Sequence, residues 1–140
     1  MRNLFSVFLL ISTVLLIAAQ ANAQLVVIAN PSIRAGDVSR ADLRDVFTGV
    51  SARLRDGSQV TPILLKNGPT NGEFLTTYVG QSESVFIASW RNQVFSGQAS
   101  MPKSLCSEAA VVQYVAHTAG AIGYISRTTP HDGVRVLSIR

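Results

Sequence analysis

The chain has 140 residues, 47% of them hydrophobic and 14% charged, a balance that builds a packed core and excludes a disordered polypeptide. Twelve basic against eight acidic residues give a net charge of +4. Arg34, Arg40, Arg44, Arg53 and Arg55 are interspersed with Asp37, Asp42, Asp45 and Asp56 instead of forming a basic stripe, so nucleic acid is excluded as a partner and small anions are weakly favoured.

The chain opens with a positive Met1-Arg2-Asn3 and an almost wholly apolar run from Leu4 to Ala19. Ala21-Asn22-Ala23 then sets small residues one and three places before a cut at Gln24. This is the pattern of a secretory signal peptide over residues 1–23. The apolar run falls short of the roughly 20 residues that span a bilayer. Cleavage between Ala23 and Gln24 makes the mature protein periplasmic or secreted. Residues 24–140 then form one domain, with too little chain for two.

An exported chain has access to disulfides, but Cys106 is the single cysteine and permits no internal bridge. It is expected on a helix beside apolar positions, as a half-buried structural thiol. His117 and His131 are isolated, so no zinc set is formed.

Leu25 to Asn30 is a short apolar run stopped by Pro31 and reads as a buried strand. Ser39 with Asp42 three residues on resembles a capping box. It opens a helix whose Leu43, Val46 and Phe47 share one face and which Gly49 stops. Asp56-Gly57 marks a turn, and Val60 to Leu65 a second strand. Thr70 or Asn71 is expected to cap a helix to about Tyr78. Another helix runs from about Glu83 to Phe95, with Phe86, Trp90 and Val94 on one face. Pro102 and Ser104 are expected to introduce a helix to about Thr118, with Leu105, Ala109, Val112 and Ala116 on its inner side. Gly120 to Ser126 gives a turn and a strand, and Val134 to Ile139 the last strand. The alternation predicts an α/β domain, a small mixed sheet of about four strands with helices on both faces. The early strands are expected parallel, and the last two antiparallel across their short loop.

One stretch carries chemistry. Lys66-Asn67-Gly68-Pro69-Thr70-Asn71-Gly72-Glu73 joins a strand end to a helix start. Helix starts present free amides and partial positive charge to an anion. Thr70, Asn71 and Gly72 are the candidate donors there, with Lys66 as auxiliary charge. Ser126 and Arg127, at a strand end where open α/β sheets take ligands, complete the candidate set. The same residue types also serve as ordinary caps and turns. No Gly-x-Ser-x-Gly elbow, zinc triad or Walker loop occurs, so neither enzyme chemistry nor a cofactor is expected.

Ser39-Arg40-Ala41-Asp42-Leu43-Arg44-Asp45-Val46-Phe47-Thr48-Gly49, followed by Leu54-Arg55-Asp56-Gly57, is similar to the Leu-x-x-Ile-Phe-x-Gly and Trp-x-Asp-Gly signature of phosphate-binding proteins of ABC transporters. Gly120-Ala121-Ile122-Gly123-Tyr124 resembles their Gly-Ala-Ile-Gly-Tyr turn. The resemblance covers nearly all of Leu25 to Ile139. It implies a single lobe of a type 2 periplasmic-binding-protein-like fold, a small oxyanion such as phosphate as ligand, and a membrane transporter or sensor as partner. Full members of that superfamily have two lobes, and this chain has length for one, so a homo-oligomer stays open. Pro69-Thr70-Asn71 stands where the family has Ser-Gly-Thr, Leu54 replaces the tryptophan, and Ala119 replaces a proline. Two functions follow: capture of an oxyanion for an ABC transporter, or a periplasmic interaction or sensory module without tight small-ligand binding. Export of the full chain, followed by N-terminal sequencing of the secreted product, is expected to read from Gln24. An uncut chain retained in the membrane refutes the leader assignment.

Overall fold

The computed structural model describes residues 24–140; the leader, residues 1–23, lies outside the described residues. Six strands form one mixed sheet: β1 (Leu25–Ala29), β2 (Asp37–Val38), β3 (Thr61–Leu65), β4 (Lys103–Leu105), β5 (Ala121–Ser126) and β6 (Arg135–Ile139). Their spatial order is β2-β6-β1-β5-β3-β4. The helices are α1 (Arg40–Phe47), α2 (Pro69–Phe74, continued by a π-helical turn Leu75–Val79), α3 (Glu83–Phe95) and α4 (Glu108–His117).

The pairing differs from expectation. β1 is antiparallel to both its neighbours, β5 and β6, while β2 is parallel to β6, and β3 is parallel to β4 and β5. The last two strands therefore run the same way with β1 between them, and β1 does not pair with β3. The short loop does not force a hairpin. Residues 127–134 are long enough, at about 3.3 Å per residue, to cross a five-residue strand. They run beside α4, where a Cβ on Gly133 would lie 3.7 Å from Ala116 Cβ. Strands β2 and β4 are too short to show alternation in the sequence.

Local capping explains the helix starts. The Ser39 hydroxyl accepts the Asp42 amide at 3.1 Å, as expected, and Leu43, Val46 and Phe47 are buried. Pro69 itself is the first residue of α2, after Gly68 at φ +92°, so neither Thr70 nor Asn71 is the cap. A proline fits there because the first helical amide has no intrahelical acceptor anyway. Ser107, not Ser104, caps α4 through the Ala110 amide, because Lys103–Leu105 is drawn into the sheet beside β3. That shift keeps Val112 inward as expected but joins it there with Val111 and Val115 in place of Ala109 and Ala116. Cys106 falls in the connecting bend and is exposed, correcting its placement as a half-buried helical thiol. Val94 is exposed as well, unlike Phe86 and Trp90 on the same helix.

β5 organises both faces. A Cβ on Gly123 would sit 3.0 Å from Val111 Cγ1 and 3.4 Å from Val115 Cγ2, so only glycine lets α4 approach this closely. Asn30, 8% exposed, ties the far end of α4 by donating from Nδ2 to the Val115 and Ala116 carbonyls. One residue on, Tyr124 points to the opposite face. Its ring stacks on Phe74 with centroids 3.8 Å apart and meets Phe47 edge-on at 5.8 Å. The α1 end is pinned to α3 by Trp90 Nε1 donating to the Phe47 carbonyl at 3.0 Å. The α/β single-lobe architecture with helices on both sheet faces is thus the one observed.

The Tyr124 hydroxyl donates to Asn71 Oδ1 at 2.5 Å and accepts the Leu65 amide at 3.0 Å. Burial holds this phenol well above its ordinary ionisation range. The folded state therefore favours the protonated phenol: its contribution is whole below the unfolded value of about 10 and is lost as pH rises beyond it. Tyr124→Phe leaves Asn71 Oδ1 and the Leu65 amide without this partner. Urea denaturation at neutral pH is expected to show a loss of about 1–3 kcal/mol. The wild type should lose stability more steeply than the variant above about pH 10.

Candidate functional site

All strands but β1 point the same way, so the carboxyl ends of β2, β3, β4, β5 and β6 share one sheet edge with the start of β1. Helices α1, α2 and α4 each begin just past one of these ends. Their amino-terminal amides are thereby gathered at that edge, the usual ligand side of an open α/β sheet.

The β3–α2 loop is its centre. Asn67 at φ +65° and Gly68 at φ +92° turn the chain sharply after Lys66. Beside the loop is a hollow of about 230 Å³ lined by Gly68, Pro69, Thr70, Cys106, Ser107 and Glu108, among others. The starts of α2 and α4 therefore meet across one small space. The Thr70 and Asn71 amides donate to no acceptor among the described residues. Lys66 is exposed and makes no ion pair with the described residues.

The other expected donors are differently employed. Asn71 is 6% exposed; its Oδ1 takes the Tyr124 hydroxyl, and Nδ2 reaches Glu83 Oε1 only at 3.5 Å. Its Oδ1 anchors the loop through Tyr124, and Asn71 is not among the residues lining the small hollow. The Gly72 amide is spent on the Gly68 carbonyl at 3.2 Å. The Ser126 amide is held by the Glu108 carboxylate, which also accepts the Thr129 hydroxyl at 3.2 Å. The Ser126 hydroxyl pairs with that of Thr128 at 3.0 Å. Arg127 is exposed and its amide bonds the Gln24 carbonyl at 2.8 Å, away from the residues lining the hollow. The structure thus joins Lys66, Thr70 and the Asn71 amide around one loop and leaves Arg127 outside the group.

Sequence reasoning missed Ser107 and Glu108, which complete the hollow. Their signal was a serine followed by an acid ahead of the Val111-Val112 pair, a cap pattern competing with Ser104. Glu108 places a carboxylate where an anion would otherwise meet the Ser126 amide. A second, larger cleft of about 530 Å³ opens on the other side of the loop, toward α3. Among the described residues no helix is long and apolar enough to cross a membrane, and no group of three or more His, Cys, Asp and Glu is placed to hold a metal.

No family model matches the chain, and no curated protein does. Solved structures do. PstS from Borrelia burgdorferi superimposes with a TM-score of 0.61 at 15% identity, over 84% of this chain and 47% of that one. A phosphate ABC transporter substrate-binding protein from Clostridium perfringens, provisionally so named and solved with bound phosphate, gives 0.62 at 15% identity, over 83% and 44%. An ABC-type phosphate transport receptor from Vibrio cholerae gives 0.55 at 12% identity, over 83% and 46%. The chain therefore spans less than half the length of each of these proteins. Identities this low speak to architecture: the chain has the fold of a single lobe of the substrate-binding proteins it resembles.

Proposed function

We propose that the chain is an exported binding-protein lobe that contacts a small oxyanion, phosphate or a relative, at the start of α2 and works with an ABC-type transporter. The observation that carries this reading is the pair of amides at Thr70 and Asn71, unengaged among the described residues, on the turn that meets the start of α4 across the small hollow and follows Lys66, which has no ion pair among the described residues. Structural neighbours named for phosphate transport support the ligand class. The Thr70 hydroxyl is a further donor on the same turn.

Magnitudes limit the affinity. A helix terminus contributes about 0.3–1 kcal/mol to a nearby anion, and a hydrogen bond to a charged group roughly 1.5–3 kcal/mol. Millimolar binding needs about 4 kcal/mol and micromolar about 8. Two amides, one hydroxyl and an exposed ammonium reach the first figure, and the Glu108 carboxylate works against the second. Tight capture needs a second face from another copy or a partner.

A second reading, an interaction or sensory module without a tight small ligand, draws on Glu108, whose carboxylate already occupies the Ser126 amide. Calorimetric titration of the exported protein with phosphate and with sulfate separates the two. The first reading expects saturable heat in the millimolar range and about tenfold weaker binding for Thr70→Ala. Absence of heat with both anions, together with co-purification of a membrane component, turns the assignment to the second.

A further inference from the structure

The cleft of about 530 Å³ lies between the β3–β4 edge of the sheet and α3 and shares only Leu65, Asn67 and Cys106 with the small hollow treated above. Its walls are apolar: Leu64, Phe86, Ile87, Val94, Phe95 and Met101 all line it. Val94, Phe95 and Met101 are exposed, Phe95 at 89%, which is unusual for side chains gathered around one concavity. The size falls within the roughly 300–1,000 Å³ of small-molecule sites, which are mostly apolar with a few polar groups fixing orientation.

Those polar groups are present and have a sign. Lys66 and Arg91 both line the cleft, and neither forms an ion pair among the described residues. Glu83 is the one carboxylate in the lining, and it faces the Asn71 amide nitrogen. Asn71, more than nine-tenths buried, also lines the cleft. Its Nδ2 has only the 3.5 Å contact to Glu83, which leaves donor capacity unused. Two cations and an under-used amide donor in the lining of an apolar cavity match a carboxylate head on a hydrocarbon body. A second copy of this basic chain would bring like charge to the same cleft.

We infer that this cleft binds an amphiphilic organic anion, a medium-length aliphatic or aryl carboxylate, with its apolar body against Phe86, Ile87 and Met101 and its head toward Lys66 and Arg91. The site shares Lys66 with the oxyanion reading but does not include Thr70. The probe is decanoate, titrated into the exported protein by calorimetry, with decanol as the uncharged counterpart. Decanoate is expected to saturate at one site and to bind at least tenfold more tightly than decanol. Arg91→Gln should weaken decanoate about tenfold and leave decanol unchanged. Val94→Glu, at an exposed wall position, should weaken both. Thr70→Ala should change neither, so failure of the oxyanion reading leaves this result standing. Equal affinity for decanoate and decanol, no saturation, or an unaffected Arg91→Gln variant overturns the inference. A concentration-dependent dimer that decanoate does not dissociate also overturns it, by assigning the cleft to a second copy.

Discussion

The hydroxyl of Tyr124 is the point on which the loop, the sheet and the aromatic core converge. It lies inside the protein, donates to Asn71 and accepts from the Leu65 amide. A buried hydroxyl is tolerated only when its hydrogen bonds are met, and here one atom meets demands from three elements. Leu65 ends β3, Asn71 lies in the first turn of α2, and Tyr124 belongs to β5. The bond therefore fixes where α2 starts relative to the strand that feeds it. That start is where the open amides are.

β5 achieves this by alternation. Gly123 and Tyr124 point to opposite faces, one admitting α4 and the other supplying the ring that Phe74 and Phe47 pack against. A missing side chain and a large one in adjacent positions set the depth of both helical layers. The Gly-Tyr pair in the sequence is thus a statement about layer spacing before it is one about ligands.

Much of this was legible in the residues. The Ser39 cap, the Leu43-Val46-Phe47 face and the extent of α3 follow from local spacing, and the structure keeps them. What was not legible depends on partners distant in sequence. Lys103–Leu105 becomes a strand only because β3 offers it an edge, and that choice displaces the α4 cap from Ser104 to Ser107. The antiparallel β1 cannot be read from its own apolar run, which is equally compatible with either direction. At the site, Asn71 reads as a donor to solvent until Tyr124 is seen to claim its side chain. Glu108 was invisible for the same reason, since its carboxylate acts on Ser126 in another element.

The central place of β1 carries a consequence for how the chain acquires its shape. Its two neighbours are β5 and β6, which begin at Ala121 and Arg135, while β1 itself begins at Leu25. Chain emerging from the ribosome must have passed residue 121 before that strand finds either flank. Contacts so distant in sequence are slow to form. Until then the middle of the sheet stands open, and the nascent polypeptide stays threadable through a narrow passage.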